Sequence, residues 1–150
     1  FSIFRYFTDG AASQYKNRKN FANLCFHQED FGVAATWNFF ATSHGKGPCD
    51  GIGGTLKRLA SKASLQRPLQ DQILRPSDLF SWAQGSLRDI QPIWVPKEQV
   101  DEEQLLEGRF LQARSVPGTR SYHHFEPVSN TNIRASLISS STQHKVFRII

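Results

Sequence analysis

The chain of 150 residues has no methionine, only two cysteines and no long apolar run. Two cysteines are too few for a disulfide framework, so a reducing compartment, nuclear or cytoplasmic, is the expectation. No stretch approaches the ~18 consecutive apolar residues of a membrane helix, and the opening lacks the basic start and apolar centre of a secretory signal. No membrane partner is therefore expected. A chain without methionine that opens directly on an apolar run reads as a processed product or a piece of something larger. There is no internal repeat and no low-complexity tract.

The length fits one ordinary domain with a single core. Hydrophobic residues make up 39% of the chain and charged residues 21%, the balance of a globular protein. Twelve Phe and three Trp give the core an aromatic character. The net charge of +5 favours a polyanionic partner, though many proteins with such a balance touch no nucleic acid.

Along the chain, residues 1–8 read as a strand ending at Asp9-Gly10. Ser13 to about Cys25 reads as a helix capped by Ser13, with Tyr15, Phe21, Leu24 and Cys25 on one face and Lys16, Arg18 and Lys19 toward solvent. His27–Gly32 reads as a short acidic turn, and Val33–Thr42 as a strand buried on both faces. A glycine-dense loop, Ser43–Gly54, feeds a helix over roughly Asp50–Gln66. A short helix over Ser77–Gly85 follows, capped by Ser77. Asp89–Pro96 reads as a strand, and Lys97–Glu107 as an acidic helix packing Val100, Leu105 and Leu106 inward. Arg109–Val116 and His144–Ile150 read as strands, with Pro117–Thr142 irregular between them. The strand–helix–strand–helix order predicts an α/β core with some parallel pairing.

Two acidic turns, Thr8-Asp9-Gly10 and Cys49-Asp50-Gly51, carry the chemistry most open to a functional reading. Each carboxylate sits between an apolar run and a basic, helix-compatible segment. Carboxylates at strand ends beside Lys and Arg can hold a divalent metal against a phosphodiester. Asp-Gly is equally the signature of a plain turn. The segment His44-Gly-Lys46-Gly-Pro-Cys-Asp50 could cradle an anion with backbone N–H groups, or could serve only as a tight loop. It fits neither the Walker pattern nor the dinucleotide pattern, which would need glycine at Asp50 or Leu56. Cys25 with His27, and His44 with Cys49, lack common zinc spacing, so buried structural cysteine is expected. His123 and His124 read as surface or partner-facing, and no Gly-x-Ser-x-Gly elbow occurs.

The runs Thr8–Asn17 and Trp37–Arg58 together resemble uncharacterised animal proteins, themselves similar to the ribonuclease H-like core of DDE-type transposases. The resemblance covers roughly the first 65 residues well and the remainder loosely. It implies a mixed β-sheet flanked by helices, with acids at strand ends binding two divalent ions for in-line attack on DNA. Asp9 would match the acid after the fourth strand and Asp50 the acid near the last helix. The acid of the first strand would lie before Phe1.

The expectation is thus a transposase-derived, partial ribonuclease H-like domain spanning 1–150, a C-terminal fragment with its core at 1–66 and a looser extension at 67–150. Asp9 and Asp50 would coordinate Mg²⁺ or Mn²⁺, while Lys16, Arg18, Lys19, His44, Lys46, Lys57 and Arg58 contact DNA. A homo-oligomer is compatible with the sequence. The alternative is a non-catalytic, domesticated module binding nucleic acid or protein. A third reading is a small-ligand or phosphate-binding enzyme built on the glycine-dense loop.

Overall fold

The computed structural model describes residues 2–40, 47–101 and 106–150. In chain order the elements are β1 (Phe4–Thr8), α1 (Arg18–Phe31), β2 (Ala35–Phe39), α2 (Pro48–Leu65), α3 (Pro76–Ser86), α4 (Lys97–Asp101), α5 (Glu107–Gln112), β3 (His124–Pro127), β4 (Asn132–Ser136) and β5 (His144–Arg148). They fall into two compact units, Phe1–Gly45 with Glu103–Ile150, and Lys46–Glu102.

The first unit is a mixed sheet of five strands in the order β1-β2-β3-β4-β5. β1 and β2 run parallel, joined through α1 as a β–α–β unit, and the remaining neighbours are antiparallel. Helix α1 packs against β2, β3 and β4, and α5 packs against α1. The core between helix and sheet is built from Phe21, Leu24 and Cys25 of α1 against Ala35, Phe39, Phe125, Ile133 and Ala135 of the strands. Aromatic rings run across this side of the sheet. Tyr6 meets Trp37 at 5.3 Å, Trp37 meets Phe39 at 5.6 Å, and Phe39 meets Phe125 at 5.6 Å. Phe21 of α1 stacks on Phe125 at 4.4 Å, with both rings fully buried. Burying one such side chain contributes about 2–3 kcal/mol. This sheet uses much of the phenylalanine excess.

Helix α1 starts later and ends later than its sequence predicts. Asn17, not Ser13, is the cap, its side-chain oxygen accepting from the backbone N–H of Lys19 and Asn20. Residues 11–16 form a turn instead, with Tyr15 N–H donating to the Ala11 carbonyl. The expected acidic turn at His27–Gly32 is helical through Phe31. Only Gly32, at φ 72°, adopts the left-handed conformation that stops the helix, its N–H donating to the Gln28 carbonyl.

Three further expectations are overturned. Asp89–Pro96 forms no strand, because Pro92 and Pro96 each remove a ladder donor. Arg109–Val116 is not a strand either, since its first half belongs to α5. The stretch 117–142, read as irregular, contains β3 and β4. Their inward positions, Phe125, Ile133 and Ala135, are completely buried, while their neighbours are polar. That is the alternation of an antiparallel strand with one solvated face. Val100 is exposed rather than packed inward, and Leu105 lies outside the described residues.

The second unit is helical. Its small core gathers Ala60 of α2 and Trp82 and Ala83 of α3, with Leu56, Leu59, Ile73 and Leu79 around them. Both helices open with proline at the first helical position and aspartate at the third. Asp50 accepts from Gly47 N–H at 3.1 Å in α2, and Asp78 accepts from Arg75 N–H at 2.9 Å in α3. Asp78 therefore does the work expected of Ser77.

Candidate nucleic-acid interface

Strand register determines which side chains share the face of the sheet opposite α1. Arg5 lies beside Thr36 and Phe7 beside Asn38. Asn38 lies beside His124, Glu126 beside Arg134, and Arg134 beside Val146. Asn132 lies beside Arg148 and Ser136 beside His144. Side chains directly opposite one another project to the same side, so these positions make one continuous surface. Its rim is open to solvent, with Arg5, Phe7, His144, Val146 and Arg148 exposed.

Phe7 is 57% exposed, and its ring stacks with that of Phe40 at 6.3 Å. A cavity of about 400 Å³ opens beside Phe7. Its walls include Arg5, Thr36, Asn38, His124 and Glu126, with Ser139 and Ser140 of the β4–β5 loop. The Thr36 hydroxyl oxygen is buried and has no hydrogen-bond partner among the described residues. Such an orphan is uncommon and calls for a reason. His124 Nδ1 and the Asn38 side-chain oxygen bond at 2.8 Å, so Nδ1 carries the proton. Burial lowers the pKa of His124; Glu126 pulls the other way and Arg5 adds to the lowering. Glu126 is paired with Arg134 at 3.2 Å.

The residues proposed from sequence are distributed differently. Asp9 and Asp50 belong to different units. Asp9 is exposed at the end of β1, and its carboxylate accepts from Ala11 N–H at 3.2 Å, the geometry of a local turn. Asp50 closes the first turn of α2, as described. Among the described residues, no three His, Cys, Asp or Glu side chains gather as a metal would require. Arg18 and Lys19 are exposed; Arg18 donates to the Ala113 carbonyl at 3.4 Å, and the Lys19 ammonium lies 5.3 Å from the Phe110 ring centre. Lys57 and Arg58 are exposed on α2. His44 and Lys46 lie outside the described residues.

Lys16 departs from its expected solvent position. It is only 9% exposed, with Nζ 5.2 Å from the centre of the Phe39 ring and 6.0 Å from that of Phe125. Burial lowers its pKa. Aromatic faces attract a cation, which offsets part of the desolvation cost. His123 and His124 are half-buried in and beside β3, and His124 lies on the open face of the sheet. Cys25 is buried, as expected, and its thiol is pushed up to about 12 by burial. His27 is held by Tyr6 and Val33 rather than sharing a metal with Cys25.

Sequence reasoning passed over Arg5, Phe7, Thr36, Glu126 and Arg134. The available signal was period-two alternation: Ile3, Arg5 and Phe7 on one side of β1, His124 and Glu126 of β3, and Arg134 and Ser136 of β4.

This arrangement defines an α/β protein with a mixed sheet, helices packed on one of its faces and a polar, aromatic-edged surface on the other. No described helix is long and apolar enough to cross a membrane. The chain belongs to the family described as a domain of unknown function, DUF8701, whose match spans residues 2–139. No curated protein and no solved structure matches it.

Proposed function

We propose that the chain is a non-catalytic nucleic-acid-binding module that uses the open face of its sheet. The observation carrying this reading is the placement of Arg5, Arg134 and Arg148 on one surface with the exposed Phe7 and Phe40 rings. Guanidinium groups hold phosphates, and exposed rings accept bases. The +5 net charge adds long-range attraction for a polyanion.

Fluorescence anisotropy with labelled oligonucleotides tests the proposal. Affinity should fall steeply with salt as counterions are released. The double variant Arg5→Gln/Arg148→Gln should bind more weakly and show a shallower salt slope. An unchanged affinity and slope would remove the sheet face from the reading.

Metal-dependent phosphoryl transfer through Asp9 and Asp50, in a transposase-derived nuclear protein, has less support. Both carboxylates already hold backbone N–H groups. Mg²⁺- or Mn²⁺-dependent strand cleavage that disappears in Asp9→Asn would restore that reading.

A further inference from the structure

We infer that the cavity beside Phe7 is a pocket for one unpaired base of a single-stranded nucleic acid, stacked on Phe7 and held at its edge by Arg5, Thr36 and Glu126. This rests on the nucleic-acid reading above and narrows it to a substrate class.

The composition of the cavity selects among the parts of a nucleic acid. A phosphate needs donors and positive charge throughout, as in helix N-termini and arginine forks. Here Glu126 brings a carboxylate to the wall, which an anion would oppose. Burial lowers the pKa of His124 and so favours its uncharged imidazole. A base edge is uncharged and presents donors and acceptors side by side. Arg5 can only donate, the Glu126 carboxylate can only accept, and the Thr36 hydroxyl can do either. The buried, unpartnered Thr36 hydroxyl is accounted for if a base edge supplies its partner.

The position of the ring completes the argument. Phe7 is at once a wall of the cavity and an exposed ring in contact with Phe40. A base can lie on it only after leaving its own stack, and in a duplex that costs a few kcal/mol per base. Single strands offer unstacked bases freely, and base–aromatic stacking holds them with little dependence on sequence. Asn38 and His124, bonded to each other, form a fixed side of the pocket that needs no rearrangement. The remaining cations of the face, Arg134 on β4 and Arg148 on β5, lie to one side of the cavity, where Arg148 is exposed for the backbone and Arg134 is paired with Glu126.

The test compares single-stranded DNA, single-stranded RNA of the same sequence and duplex DNA of the same length, binding the full chain at about 0.15 M salt. At least one single strand should bind tenfold or more tightly than the duplex, and the preferred sugar identifies the source. Phe7→Ala should lower single-strand affinity about tenfold while leaving duplex affinity and the salt slope unchanged. Thr36→Val, which keeps side-chain shape, should weaken single-strand binding severalfold. Circular dichroism and thermal melting establish that both variants fold. Salt-dependent binding that is equal for duplex and single strand, or unaffected by Phe7→Ala and Thr36→Val, would overturn the pocket while leaving the module reading intact. No binding to any oligonucleotide would overturn both.

Discussion

The hydroxyl of Tyr6 on β1 donates to Nε2 of His27 on α1 at 2.9 Å, while His27 Nδ1 donates to the Val33 carbonyl at 2.7 Å. A carbonyl only accepts, so the proton sits on Nδ1 and Nε2 is left to accept. One imidazole thereby ties the first strand, the helix and the start of the returning strand. Removing the hydroxyl strands a buried acceptor, which costs about 1–3 kcal/mol. Tyr6→Phe should lower the unfolding free energy by that amount, read as a lower urea midpoint with the slope of the transition unaltered.

Arg109 makes a two-pronged ion pair with Asp30 at 2.7 and 2.9 Å, also donates to Asn23, and lies 4.1 Å from the centre of the Phe26 ring. The Arg109 hydrogen bond is the main reason the Asp30 pKa is lowered. A carboxylate with a depressed folded pKa contributes stability above its unfolded pKa, and that contribution is lost as pH falls through the folded value. Arg109→Lys, which loses the planar fork, should cost about 1 kcal/mol at pH 7. The difference between the two proteins should shrink below the 3.8 of an ordinary aspartate, once Asp30 is protonated. Chemical denaturation at both pH values checks this.

Lys16 shows the same pH slope in an alkaline window, but there the shift reflects a cost of burying the charged form. Its folded pKa lies below the ordinary 10.5, so between those values the unfolded chain holds more protons than the folded one. Stability should rise with pH across that window. In Lys16→Met the aliphatic packing on Phe39 is kept and the alkaline rise should flatten. The same variant should leave the salt slope of nucleic-acid binding unchanged, since a buried ammonium meets no phosphate. A reduced slope would return Lys16 to the binding surface.

Cys25 should be chemically silent in the folded state. A thiol pushed up to about 12 forms almost no thiolate at pH 8, and only the thiolate reacts. In a Cys49→Ser background, Ellman's reagent should label Cys25 only as fast as the protein unfolds. Rapid native-state labelling would contradict the packing of α1 against β4, where Cys25 Sγ faces the Asn132 carbonyl at 3.8 Å.

The helix starting at the glycine-dense loop, the short helix after Pro76 and the strands near both ends were legible, because each has a continuous apolar stripe or a proline–aspartate opening. The parallel pairing of β1 with β2 also followed from the strand–helix–strand order. Helix α1 was misplaced at its start because two capping candidates, Ser13 and Asn17, compete locally, and at its end because the polar run after Cys25 resembles a turn although the stop comes at Gly32. Only the turn at Ala11–Lys16, with Asn20 donating to the carbonyls of Gln14 and Tyr15, decides for Asn17. β3 and β4 were missed for a more instructive reason. Their outward residues, His124, Glu126, Arg134 and Ser136, made the stretch look like loop, yet those residues lie at the centre of the candidate surface. The carboxylates of Asp9 and Asp50 stood out in sequence because Asp-Gly is conspicuous, whereas a candidate face spread over five strands leaves no contiguous motif.

The inside–outside alternation along β3 and β4 bears on how this protein can change. In a two-residue repeat, inserting or deleting one residue within a strand exchanges its two sides. For β4 that would drive Arg134 into the space of Ile133 and Ala135, and turn two aliphatic side chains toward water. Single-residue indels in β3 or β4 should therefore destabilise the fold, while the β4–β5 hairpin loop, whose Ser139 and Ser140 line the cavity, can lengthen or shorten and so reshape it.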